Sequence, residues 1–350
     1  MNWELPMDYF KKTLVDILSI DSPTGFTMAV VDRIKAYVDK LGYESGLTNK
    51  GNLVVLVPGL GGCDKTIGVS AHVDTLGLVV RGYKSDGTLS FSQVGGAILP
   101  TLDGEYCKVY TRCGKVYTGT ILSNSPSSHV YDDASDRKRD ANNMHVKLDE
   151  EVKNGEDVKK LGILPGDFIC YDPKTVITEK GFIKSRFLDD KLSAAIILSA
   201  LKQMSDNNIR PTHNLCVIFS TYEEVGHGLS HLPGEISEFL AVDMGCIGSD
   251  LTCTEYDVSI CAKDSSGPYD YALTSRLIDL AKKAGLSYAV DIYPRYGSDV
   301  SAARFAGHDV VGGLIGPGVA ASHGMERSHL KACENAFKLL CLYLTEGQGL

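Results

Sequence analysis

Apolar residues recur along this chain with two different periods. Val30, Val31, Ile34, Ala36, Val38 and Leu41 fall at helical spacing. The first forty residues therefore predict helices, broken at Ser22-Pro23-Thr24-Gly25. After Gly42 the period shortens to that of strands, Leu53–Val57 and Ile67–Val73, around a glycine-rich turn at Gly59–Gly62. From about Leu76 to Phe182 only short β-like runs occur: Leu78–Arg81, Leu89–Gln93, Lys108–Thr111, Val116–Leu122, Phe168–Tyr171 and Val176–Thr178. Gly, Asp-Gly and Pro separate them, which predicts a small all-β barrel or sandwich. The polar, charged stretch Ser123–Lys160 predicts a solvated loop.

Past Lys184 helices and strands alternate again. Helices are predicted at Lys191–Met204, Tyr269–Ala284, Val300–Ala306 and His329–Leu344. Strands are predicted at Leu215–Thr221, Phe239–Val242, Tyr288–Ile292 and Val310–Ile315. The expected organisation is α/β: residues 1–75 and 183–350 form one discontinuous domain, and residues 76–182 form an inserted β domain. At 350 residues the chain exceeds what one hydrophobic core usually holds, which agrees with that division.

Charge and composition narrow the function. Lys and Arg number 35 against 44 Asp and Glu, a net charge of −9, so nucleic acid and anionic membranes are not expected partners. The longest apolar runs, such as Ala194–Leu198, are too short to span a bilayer. The acidic, interrupted start MNWELPMDYFKK is unlike a secretory signal. Ten cysteines without a C-x-x-C pair read as reduced, mostly buried thiols, so the cytoplasm is the expected location.

Acids and histidines gather at predicted strand ends. His72-Val73-Asp74 closes one strand, as an imidazole with a carboxylate two residues on; a core histidine bonded to an acid is the simpler account of that pair alone. Asp189-Asp190-Lys191 precedes an apolar helix, where one Asp would serve as a cap and the second is left over. Glu223-Glu224 ends a buried-type strand, where unpaired acids are costly and neighbours face different sides. Asp243 ends another, and His323 lies in a late loop rich in Gly and Pro. Adjacent glutamates do not suit a glycosidase, whose carboxyls face one sugar from two sides. The chain lacks G-x-S-x-G, a phosphate loop and H-E-x-x-H, and no dinucleotide-binding spacing occurs.

In this order the pieces resemble the M42 glutamyl aminopeptidases of clan MH, which include the tetrahedral aminopeptidases. The resemblance rests on His72-x-Asp74, Asp189-Asp190-Lys191 after a β insertion, Glu223-Glu224-x-Gly226, Val242-Asp243-Met244-Gly245 and His323. Gly162-Ile-Leu-Pro-Gly166-Asp167 and Tyr296-Gly297-Ser298-Asp299 support it. It implies an α/β/α mixed-sheet peptidase domain with an inserted β-barrel-like domain for dimerisation. It also implies two divalent ions per chain, zinc or cobalt, and no organic cofactor. Asp189 would bridge the ions; Glu224 and His323 would complete one site, His72 and Asp243 the other. Asp74 would orient His72, and Glu223 would be the general base. Short peptides would be the substrates, and a homo-oligomer between dimer and dodecamer is implied. Departures are Thr75 where many members have an acid, Lys191 where Arg is also common, and Glu326, one residue closer to His323 than usual. The rival expectations are a carboxypeptidase or N-acyl amino acid deacylase of the same clan, and a silent peptide-binding oligomer. The insertion between His72 and Asp189 favours the aminopeptidase over the first, and the complete ligand set tells against the second.

Overall fold

The computed structural model describes residues 3–61 and 65–348; Gly62 of the predicted turn at Gly59–Gly62 lies outside them. A ten-stranded mixed sheet forms the larger body. At its centre Asn214–Ser220, Thr66–His72, Ile236–Val242 and Val311–Val319 run parallel. Leu53–Val57 flanks them antiparallel on one side, with Glu44–Leu47 antiparallel to it in turn, and Val258–Asp264 flanks them antiparallel on the other. Tyr288–Ile292 runs parallel to Val258–Asp264.

The central strands are largely buried on both faces, which is why they read as mostly apolar runs. In Asn214–Ser220, Leu215, Val217 and Phe219 enter one core, while Cys216 and Ile218 enter the other. The first core takes the helices Met7–Leu18, Met28–Lys40, Leu188–Asp206, Tyr271–Lys283 and Leu330–Leu344. The second takes Val300 and Ala303 of the short helix Asp299–Phe305. Helices on both faces make the α/β/α architecture.

A closed antiparallel barrel stands beside this sheet. Its strand order is Gly77–Tyr83, Leu89–Val94, Met144–Leu148, Val116–Ser123, Tyr106–Tyr110 and Phe168–Tyr171. Leu78, Val80, Phe91, Val109, Ile121, Val146 and Ile169 are fully buried, as alternation along small-barrel strands requires. The expectation of a solvated loop over Ser123–Lys160 is corrected here. That stretch contains the strand Met144–Leu148 and the short helix Gly155–Lys160. Met144, Val146 and Leu148 alternate inward and complete the barrel, but surrounding charges hide the period in the sequence.

A small sheet of Val176–Ile177, Phe182–Ser185 and Glu326–His329 follows the last barrel strand. The described cysteines are all free and most are buried. No helix among the described residues is long and apolar enough to cross a membrane.

Candidate metal centre

In an open α/β sheet the carboxyl ends of parallel strands share one edge, where ligands usually bind. His72 is the last residue of its strand. Asp243 follows Val242. Glu223 and Glu224 form a 3-10 turn just after Ser220. Close approach is needed beneath Asp243, because a Cβ at Gly316 would collide with the Asp243 carbonyl. Asp189 and Asp190 come from the start of the long helix Leu188–Asp206 and carry non-helical backbone angles. No side-chain capping hydrogen bond is made at this helix start.

The predicted residues converge. His72 Nε2 lies 2.9 Å from Asp189 Oδ1. His323 Nε2 lies 3.5 Å from the other oxygen, Asp189 Oδ2, and 3.6 Å from Glu224 Oε2. Glu223 Oε2 is 3.8 Å from His72 Nε2. Donor atoms of His72, Asp189 and Glu224 lie within 4.8 Å of one another, as do those of His72, Asp190 and Asp243. The two adjacent glutamates thus face different histidines.

Both rings are held by main-chain carbonyls. His72 Nδ1 is 2.9 Å from Asp74 O, and His323 Nδ1 is 3.1 Å from Gly96 O. A carbonyl only accepts, so Nδ1 carries the hydrogen in each ring and Nε2 is directed at the carboxylates. The Asp74 side chain differs from expectation in emphasis. Its Oδ1 is 3.6 Å from His72 Nδ1, farther than its own main-chain oxygen. The carboxylate instead accepts from Thr24 Oγ1 at 2.6 Å and from the amides of Glu223 and Glu224 at 3.2 and 3.3 Å. Asp74 therefore ties the glutamate turn to the His72 strand.

Asp190 is the residue the sequence left without a use. Its Oδ2 accepts from the His72 amide at 3.2 Å, and its Oδ1 has no hydrogen-bond partner. Glu224 Oε1 is also without one. Two adjacent acids before an apolar helix were the available signal.

The electrostatics follow from crowding. Burial, with Asp243 next, pushes the Asp190 carboxyl well above the usual range. Burial and then Asp189 do the same to Glu224. Glu223 is raised by burial, with Asp243 and Asp299 adding and His72 opposing. Asp243 is pushed up to about 7 by burial and by Asp189. Asp189 is lowered, because its bonds to His323 and His72 outweigh burial. His323 rises to about 10, chiefly through Asp189. Acids here outnumber the cationic groups that could balance them. Buried oxygens without partners cost roughly 1–3 kcal/mol each. Carboxylate and imidazole donors of this kind suit zinc-class divalent ions, so the residues fit such a group.

Sheet, barrel and donor set together have the make-up of a metal-dependent hydrolase. Within that class the chain belongs to the M42 glutamyl aminopeptidase family, whose model matches residues 51–339. It is therefore a peptide hydrolase, and that membership implies divalent metal ions. The Bacillus subtilis (strain 168) protein named "Putative aminopeptidase YhfE" is 44% identical over 330 residues, 94% of this chain and 95% of that protein. The TET aminopeptidase of Thaumarchaeota archaeon SCGC AB-539-E09 has a similar fold, with a TM-score of 0.88, 20% identity, and 97% of each chain covered. So has the Pyrococcus horikoshii TET1 peptidase, which assembles into a tetrahedron or a large octahedral shell. Its TM-score is 0.84 at 21% identity, covering 96% of this chain and 99% of that one.

Proposed function

We propose that the chain is a two-metal aminopeptidase that removes N-terminal residues from short peptides. One observation carries the reading: His72 and His323 direct their Nε2 atoms at opposite oxygens of a single carboxylate, Asp189. A carboxylate approached from both sides is suited to bridge two cations. Glu224 and His323 would complete one ion's shell; His72 and Asp243 would complete the other's, with Asp190 beside it. When bound, such a pair of ions lowers the pKa of water and stabilises negative charge on the scissile carbonyl. Zinc or cobalt suits the mixed imidazole and carboxylate donors.

Glu223 is the general base in this reading. Its carboxylate takes a proton from the attacking water and delivers it to the departing amine. The Asp74 carboxylate holds the Glu223 and Glu224 amides, fixing the turn from which both side chains project. The Asp74 carbonyl keeps His72 in the tautomer that leaves Nε2 free. A homo-oligomer, between dimer and dodecamer, is part of the proposal. Exposed Tyr106 and Val116 on barrel strands offer apolar surface for it. Free, mostly buried thiols support a reducing compartment, the cytoplasm.

The test is metal analysis of purified protein alongside hydrolysis of aminoacyl-nitroanilides and N-acetyl amino acids. Two ions per chain and cleavage of the former support the reading. Cleavage of N-acetyl amino acids alone would replace it with a deacylase.

A further inference from the structure

Glu326 is buried, and both of its oxygens accept from main-chain amides. Oε2 accepts from the Asp189 amide at 3.0 Å, and Oε1 accepts from the His323 amide at 3.0 Å. One carboxylate thus holds the main chain of two site residues that lie far apart in sequence. The ladder explains how it gets there. Glu326 pairs with Ser185 at the end of the small sheet, and only Arg186, Phe187 and Leu188 separate Ser185 from Asp189. On the other side, the chain from His323 to Glu326 closes a tight turn. His323 itself has φ 64°, a left-handed conformation that non-glycine residues seldom adopt and that needs outside support. A carboxylate accepting its amide supplies that support.

We propose that Glu326 is a positioning residue that fixes the separation of Asp189 and His323 by gripping both amides at once, and so tunes how tightly the ion between them is held. The proposal rests on the two-ion reading above. It assigns Glu326 no contact with substrate or ion. Its reach matters as well as its pair of accepting oxygens, because the two amides are gripped by different oxygens. Glutamine keeps the length but turns an NH2 group toward one of the two N–H donors. Aspartate keeps both accepting oxygens but is one methylene short.

The test is a zinc titration of dialysed full-length protein against a chromophoric chelator. Wild type is compared with Glu326→Gln and Glu326→Asp, and unfolding is followed on the metal-free forms. The expected result is zinc affinity about 10–100-fold weaker in at least one of two sites, for both variants, the usual scale for groups that hold ligands in place. The loss should shrink when Glu326→Gln is made in a His323→Ala background, since part of the Glu326 effect acts through the His323 ring. Wild type that takes up fewer than two zinc ions fails the two-ion reading itself. Wild type that takes up two, with both variants unchanged, fails this inference alone. Wild-type affinity in Glu326→Asp would mean that reach does not matter and would overturn it. Loss of folding in both variants would also overturn it, by making Glu326 a folding residue.

Discussion

The two ends of the central sheet both bury acid, and they treat it in opposite ways. At the amino end Glu238 sits among its own partners. Lys65 approaches one oxygen at 3.1 Å; the other meets Arg276 and also Tyr343 Oη, at 2.7 Å. Burial opposes its charge, but Tyr343, Arg276 and Lys65 outweigh that and hold the carboxyl below the usual glutamate value. At the carboxyl end Asp190 and Asp243 are buried and Glu223 and Glu224 half-buried, with too few cations, and all are raised. Burial alone therefore does not mark a functional acid. A buried acid whose partners come from the chain is part of the fold. A group of them left in excess of their partners is built for something the chain does not itself supply.

The contrast can be broken most forcefully at Asp189. Asp189→Asn should lose at least one ion per chain, because a neutral amide bridges poorly, and turnover should fall at least as far as in Glu223→Gln; metal analysis still returning two ions would contradict this. Glu223→Gln should keep fold and metals while turnover drops by about 10²–10⁴-fold, the usual contribution of a general base. Full activity in that variant would remove Glu223 from its role. Zinc added to metal-free protein at about a thousand times its dissociation constant should stabilise it by about 4 kcal/mol for each ion bound. Calorimetry with and without chelator measures this, and no stabilisation would mean the acids balance one another. At the other end Tyr343→Phe should cost about 1.5–3 kcal/mol, the range for a hydrogen bond to a charged group. Zinc content should not change there. The smallest effect is acid sensitivity. A carboxyl lowered by folding contributes stability that is complete above its ordinary pKa of 4.5 and is lost as pH falls through its folded value. Unfolding midpoints of Glu238→Gln should therefore depend less on pH below about 4.5 than those of wild type, and parallel curves would contradict it.

The alternating α/β segments were legible because central strands buried on both faces carry apolar runs, as at 215–219, and flanking strands alternate. Leu53–Val57 and Tyr288–Ile292 coincide with the sequence reading residue for residue. Met144–Leu148 was not legible: its inward residues are only every second position in a short strand set among charges. Strands such as Glu44–Leu47 and Glu326–His329 are short, have few apolar residues and are defined by what they pair with. In the candidate site, the side chains that chemistry would choose were visible as strand-end acids and histidines. What was not visible was the use of main chain. That the Asp74 carbonyl rather than its carboxylate lies nearest His72, and that Asp190 and Glu326 grip amides, depends on backbone positions that no spacing encodes.

The stretch just after the barrel strand Leu89–Val94 reaches into the site. Gly96 O accepts from the His323 ring, the Ile98 amide bonds to His323 O, and a Cβ on Gly96 would lie 3.2 Å from that ring. The barrel is thus a buttress for one histidine as well as a neighbour of the sheet. A chain could keep every acid and imidazole intact and still fall silent if its barrel were tilted, because one ring would then be mis-aimed.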